Sequence, residues 1–156
     1  MSAAEGHTHS GGRTLLGFDF GRQRIGVAVC QELIGQASPL ETLSAVGNRP
    51  DWESIQRLIE RWSPDALVVG IPFDMNGGEQ EMTIAARRFA RQLEGRTGLP
   101  VFGADERLSS IAATGMAFGS GRTSRQGRVV VDDLAAKVIL DTFMTEGPVP
   151  ISGGRT

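Results

Sequence analysis

Residues 14–30 read TLLGFDFGRQRIGVAVC. Two apolar runs, Thr14–Phe20 and Ile25–Cys30, flank the polar GRQR at 21–24. Apolar runs of this length joined by a glycine-containing turn read as a β-hairpin. One charged residue interrupts the first run: Asp19, at its carboxyl end. A third, weaker strand is expected over Gly35–Leu43 (GQASPLETL), where Pro39 suggests an edge. The chain therefore opens with a three-strand antiparallel meander.

Downstream the periodicity changes. In WESIQRLIERW, Trp52, Ile55, Leu58, Ile59 and Trp62 recur at spacings of three and four. That predicts an amphipathic helix, capped by Asp51 and stopped before Pro64. Ala66–Ile71 (ALVVGI) reads as a buried strand of parallel type, and PFDMNGG at 72–78 as a loop. A second helix is expected over Glu79–Leu93, a strand over Pro100–Ala104, and a third helix from Ser109 or Ser110 to Phe118. Gly119–Arg128 (GSGRTSRQGR) reads as a basic loop and Val131–Met144 as the last helix. The order β-β-β-α-β-α-β-α-α gives an α/β fold: a mixed five-stranded sheet, meander first and parallel strands after, with helices on both faces.

The chain has 156 residues, 40% of them apolar, which fits one domain. Its expected limits are 13–146, between small, polar, glycine-rich tails at 1–12 and 147–156. Sixteen basic residues stand against 18 acidic ones, so any nucleic-acid surface must be local. No apolar run approaches the ~20 residues of a membrane span, and the first ten residues lack the pattern of a secretory signal. The single cysteine, Cys30, allows no internal disulfide; a cytoplasmic location is the expectation.

In an open α/β sheet, ligands collect beyond the carboxyl ends of the strands. Three acid groups fall there: Asp19 after the first strand, Asp105 and Glu106 after the last, and Asp132 and Asp133 near the start of the final helix. Each has a structural use of its own, as turn former, solvated strand end or helix cap. Three groups converging on one sheet edge, with no nucleophilic His, Cys or Lys nearby, point instead to hard-cation binding. Mg²⁺ or Mn²⁺ would suit such oxygen ligands, and two ions could clamp the two oxygens of a phosphodiester displacement.

Charge agrees with this. Between residues 85 and 128 there are eight arginines and three acids, a local balance of +5 in a chain of net charge −2. Arg87, Arg88 and Arg91 read mainly as the wet side of the second helix. Arg107, Arg122, Arg125 and Arg128 lie close in sequence to the acids, where planar guanidinium groups could hold a phosphate backbone. With no Tyr and 6% aromatics, a binder built on base stacking is disfavoured.

Four segments, LLGFDFGRQRIGVAV, VVGIPFDMNGGEQ, ADERLSS and VDDLAAKVIL, occur in an order and spacing that resembles the YqgF/RuvX family of bacterial ribonuclease H-like proteins. The resemblance covers nearly all of Thr14–Phe143. It implies a ribonuclease H-like fold and a nuclease that trims the 5′ end of the small-subunit ribosomal RNA precursor, or else a Holliday-junction resolvase. It maps an acidic triad onto Asp19, Glu106 and Asp132, with Asp133 and Asp105 as fallbacks. Two departures stand out: arginines replace the family's usual lysines before Asp132, and Asp133 adds a second acid there. The implied partners are pre-rRNA or branched DNA, bound by a monomer or homodimer. A non-catalytic assembly factor and an ATP-binding protein of the actin and sugar-kinase type are rivals. The second lacks the length for its other lobe.

Overall fold

A computed structural model describes residues 12–46, 49–73, 76, 78–106 and 124–151, with side chains throughout except at 124–133. The strands are β1 (Thr14–Phe20), β2 (Arg24–Gln31), β3 (Gln36–Val46), β4 (Arg49–Pro50), β5 (Ala66–Ile71) and β6 (Val101–Asp105). The helices are α1 (Trp52–Trp62), α2 (Glu81–Thr97) and α3 (Ser124–Glu146). One sheet contains all six strands in the order β4-β3-β2-β1-β5-β6.

The hairpin forms as its sequence predicts. β1 and β2 pair antiparallel from Thr14↔Gln31 to Phe20↔Ile25. The Gly21 N–H closes the turn onto the Arg24 carbonyl at 2.9 Å. β3 continues the meander against β2, with a register shift that lets Leu40 bulge between Pro39 and Glu41. Pro39 sits beside that bulge, on a stretch of β3 to which β4 does not extend. The two-residue β4 covers only Ala45 and Val46, so the sheet has six strands where five were expected. A pair this short carries no apolar pattern to mark it. β5 then runs parallel to β1, and β6 parallel to β5.

Side-chain alternation gives the sheet two apolar faces. Leu16, Phe18 and Phe20 of β1 and Leu67, Val69 and Ile71 of β5 face α1 and α2. Leu15, Ala66, Val68 and Ala104 face α3, through Ala136, Ile139, Leu140 and Phe143. Helices thus cover both faces. α1 starts as expected, with the Asp51 side chain accepting from the Ser54 N–H at 3.1 Å.

Three expectations need revision. α3 begins at Ser124, seven residues before the expected Val131, so Arg125 and Arg128 belong to its first turns and not to a loop. Gly127 within this stretch is a loop signal in the sequence, but a helix accommodates a single glycine at a cost of about 1 kcal/mol relative to alanine. Residues 147–151 are not a tail. Val149 donates its N–H to the Gly103 carbonyl at 2.8 Å, and Val149 and Ile151 pack on the core. These two apolar residues shield the open edge of β6, whose backbone groups need partners. Arg87 is buried, contrary to its reading as a wet helix face. The expected helix from Ser109 or Ser110 to Phe118, the tail at 1–11, Arg107 and Arg122 lie outside the described residues.

Candidate active site

β1, β5 and β6 are adjacent and parallel, so their carboxyl ends share one edge of the sheet. Asp19 is the sixth residue of β1, half-buried, two positions from Gly17 and therefore on the α3 face. Glu106 follows β6 directly. Its N–H donates to the Ile71 carbonyl at 3.1 Å, which extends the β5–β6 ladder by one step. Its side chain is carried to the α3 side, where Glu106 is 8% exposed.

Glycine makes room for it. A Cβ on Gly70 would lie 2.8 Å from Glu106 Oε1 and 2.8 Å from Ile139 Cγ1. Any side chain at 70 would displace either the carboxyl group or α3. Gly17 plays the same part on β1, where a Cβ would come within 2.5 Å of Leu140 Cγ. The two glycines let α3 approach the sheet closely at the level of the acids.

The carboxyl groups of Asp19 and Glu106 are hydrogen-bonded to one another. Burial is the main reason that Glu106 holds its proton well above the usual carboxylate range; the Asp19 charge, its hydrogen bond and the Asp105 charge add to it. Two carboxyl groups in contact cannot both ionise cheaply without a cation between them. A divalent ion with oxygen preference fits this donor set by its chemistry. Among the described residues no group of three or more potential ligands forms. The side chains of Asp132 and Asp133 lie outside them.

Asp105 sits differently. Gly103, two residues earlier, faces Ile71 and Val149, so strand alternation puts Asp105 on the α1–α2 face, away from the pair. The structure thus brings Asp19 and Glu106 together and separates Asp105 from them. One element of the surroundings escaped the sequence reading: Arg87 and Thr83, both buried on α2 beneath the loop that leaves β5. The available signal was positional. Arg87 falls within the stripe of Thr83, Ala86 and Ala90, so a charge stands where the helical period calls for an apolar residue.

The RuvX family model, described as Holliday junction resolvase, matches residues 13–146. The chain belongs to the RuvX family. Curated relatives agree over nearly their whole length. A protein of Azotobacter vinelandii named "Putative pre-16S rRNA nuclease" is 47% identical over 139 residues, 89% of this chain and 98% of its own. A Coxiella burnetii protein of the same name is 49% identical over 131 residues, covering 84% and 92%. Among solved structures, Thermus thermophilus RuvC in complex with a Holliday junction substrate overlays with a TM-score of 0.49 and 18% identity, over 88% of this chain and 98% of that one. Asp19 and Glu106 both lie within the residues that the family model matches. No helix among the described residues is long and apolar enough to cross a membrane.

Proposed function

We propose that this RuvX-family chain is a divalent-metal-dependent nuclease acting on structured RNA at the 5′ end of the small-subunit ribosomal RNA precursor. The observation that carries the reading is the contact between Asp19 and the buried Glu106. Asp19, Glu106 and Asp132 would hold Mg²⁺ or Mn²⁺, as two ions. When bound, the ions supply positive charge that stabilises the attacking and leaving oxygens of phosphodiester hydrolysis.

The chain's own residues do the positioning. Asp19 is fixed by the β1 ladders and Glu106 by its backbone bond to Ile71, so neither carboxylate must be ordered when substrate arrives. Asp132 precedes Ile139 by seven residues of α3, about two turns, and Ile139 abuts the Gly70 position beside Glu106. Asp133 shares register with Leu140, which abuts Gly17 on β1, and is the fallback. Arg107, Arg122, Arg125 and Arg128 would hold substrate phosphates. A cytoplasmic location goes with an rRNA substrate. The names of the relatives favour RNA; the family description favours a second reading, resolution of branched DNA, which would need a two-fold dimer to present two sites.

The test is to incubate the protein with Mn²⁺ or Mg²⁺ and two labelled substrates. One is a structured RNA with a single-stranded 5′ extension, and the other a four-way DNA junction. Metal-dependent RNA cutting that Asp19→Asn abolishes is the expected result. Symmetric cutting of the junction alone would favour the resolvase. Binding without cutting of either substrate would leave a non-catalytic assembly factor.

A further inference from the structure

Arg87 is 5% exposed, and its Nη1 donates to Glu79 Oε2 at 2.6 Å. Its guanidinium carbon lies 5.5 Å from the centre of the Phe73 ring. Its Nε is buried and has no hydrogen-bond partner among the described residues. Phe73 and Glu79 bridge to one another, so this one side chain grips both ends of the loop that leaves β5. One turn earlier, Thr83 is fully buried. Its Oγ1 donates to the Pro72 carbonyl and accepts from the Gln80 N–H at 2.8 Å.

A buried guanidinium whose one charged partner among the described residues is half-exposed is a poor way to gain stability. An apolar side chain of similar volume would serve the core as well or better, particularly because Glu79 is open to solvent. What Arg87 and Thr83 supply is direction. They hold three points of the loop that leaves β5: the Pro72 carbonyl, the Phe73 ring and the Glu79 carboxylate. The residue before Pro72 is Ile71, whose carbonyl holds the Glu106 backbone.

We propose that Thr83 and Arg87 are positioning residues for Glu106, acting from α2 through the β5 exit on the backbone that carries that carboxylate. The proposal rests on reading Glu106 as a cation ligand. The path runs from the α2 side chains to Pro72 and Phe73, from Pro72 to Ile71 along the chain, and from Ile71 to Glu106 by a hydrogen bond. Supporting groups of this kind set how well a ligand is presented, and their loss weakens metal binding while the fold persists.

The experiment titrates Mn²⁺ into the purified protein and reads free Mn²⁺ by electron paramagnetic resonance, with Asp19→Asn as background. Thr83→Val keeps the shape and removes the donor; Thr83→Ser keeps the donor; Arg87→Met keeps an unbranched apolar stem and removes the guanidinium. The expected result is a dissociation constant raised about tenfold in Thr83→Val and in Arg87→Met, and close to wild type in Thr83→Ser. Melting temperatures should stay within about 4 °C of wild type. Wild-type Mn²⁺ affinity in both Thr83→Val and Arg87→Met would overturn the proposal, whatever their melting temperatures. Should the wild type bind no Mn²⁺ above the Asp19→Asn background, the cation reading falls and this proposal with it. Should it bind Mn²⁺ and cut neither nucleic acid, the nuclease reading falls alone, and the affinities of the variants still decide.

Discussion

The two faces of the sheet are built from different materials. The α1–α2 face is large and aromatic: Phe89 packs edge-on against Phe18 and stacks on Phe20 and Trp52, with ring centres 4.8–5.8 Å apart. The α3 face is small: Gly17, Ala28, Ala66, Gly70, Ala104 and Ala136 let the helix lie close to the strands. Both carboxyl groups of the candidate site are on the small face. Large side chains fill space and bury more apolar area, about 25 cal/mol for each Å². Small ones give that up and gain close approach, which brings charged groups from separate strands into contact. The difference teaches that one domain can assign stability to one side of a sheet and chemistry to the other.

The sharpest way to break this division is to change one residue on each side. Asp19→Asn should lower kcat/KM on the cut substrate by at least ~10³-fold, about 4 kcal/mol in the barrier, with an unchanged circular dichroism spectrum. A variant that retains activity would remove Asp19 from the chemistry. On the opposite face, Phe89→Ala should cost about 3–4 kcal/mol of stability, because Phe89 is the centre of the aromatic cluster and 1% exposed. Its residual activity per folded molecule, measured well below the melting transition, should stay within about threefold of wild type. A collapse of activity in the folded fraction would show that the faces are not independent.

Gly70→Ala joins the two effects. The added methyl group meets Ile139 and Glu106 Oε1 at once. Overpacking of this kind costs about 2 kcal/mol, here with a loss of activity far beyond the loss of folded protein. Chemical denaturation and steady-state kinetics on the same sample separate the two. A loss of stability without a loss of activity would mean that Ile139 yields and Glu106 does not move.

Much of this architecture is legible in the sequence. The hairpin, the α1 cap at Asp51 and the β5 run follow from periodicity and turn chemistry, and the strand-end acids are visible as charges inside or just after apolar runs. What periodicity cannot supply is pairing across the sheet. Asp19 and Glu106 are separated by most of the chain, and they touch only because β5 inserts between β1 and β6 and the chain continues one residue past β6. Arg87 misleads for a related reason. A charge in an apolar stripe reads as a boundary of the stripe until the Glu79 carboxylate and the Phe73 ring, both brought by a loop, are seen to cover it. Residues 147–151 mislead because alternating Val149 and Ile151 among prolines carry an edge-capping pattern too short to register.

Acidity offers a finer contrast between the faces, with opposite signs. Glu106 is protonated more readily in the folded protein than in the unfolded chain, so its contribution favours folding at low pH. That contribution fades as pH rises from its ordinary value of 4.5 through the raised one, and at neutral pH the metal-free fold carries a penalty. Glu106→Gln removes the penalty and keeps a donor to Asp19. It should raise the metal-free melting temperature at pH 7.5 by about 4 °C, the shift of roughly 1 kcal/mol, while eliminating activity. Millimolar Mn²⁺ should stabilise the wild type and not this variant. An unchanged or lowered melting temperature would mean that the pair is already satisfied without a cation.

Asp51 behaves in the reverse sense. Its bonds from the Ser54 hydroxyl and N–H hold its carboxyl below the usual value of 3.8, so it stabilises the fold above that pH and loses this as pH falls through the depressed value. Asp51→Ala should cost about 1 kcal/mol at pH 7 and progressively less below pH ~4, leaving activity unchanged. Thermal melts of wild type, Asp51→Ala and Glu106→Gln from pH 3 to 8 would read both signs in one series. The gap between wild type and Asp51→Ala should close on acidification. The gap between wild type and Glu106→Gln should also close there, from the other side, because neutral Glu106 then serves the fold as well as glutamine does. If either gap instead widens as pH falls, the division of labour between a stabilising face and a strained, cation-ready face does not hold at that residue.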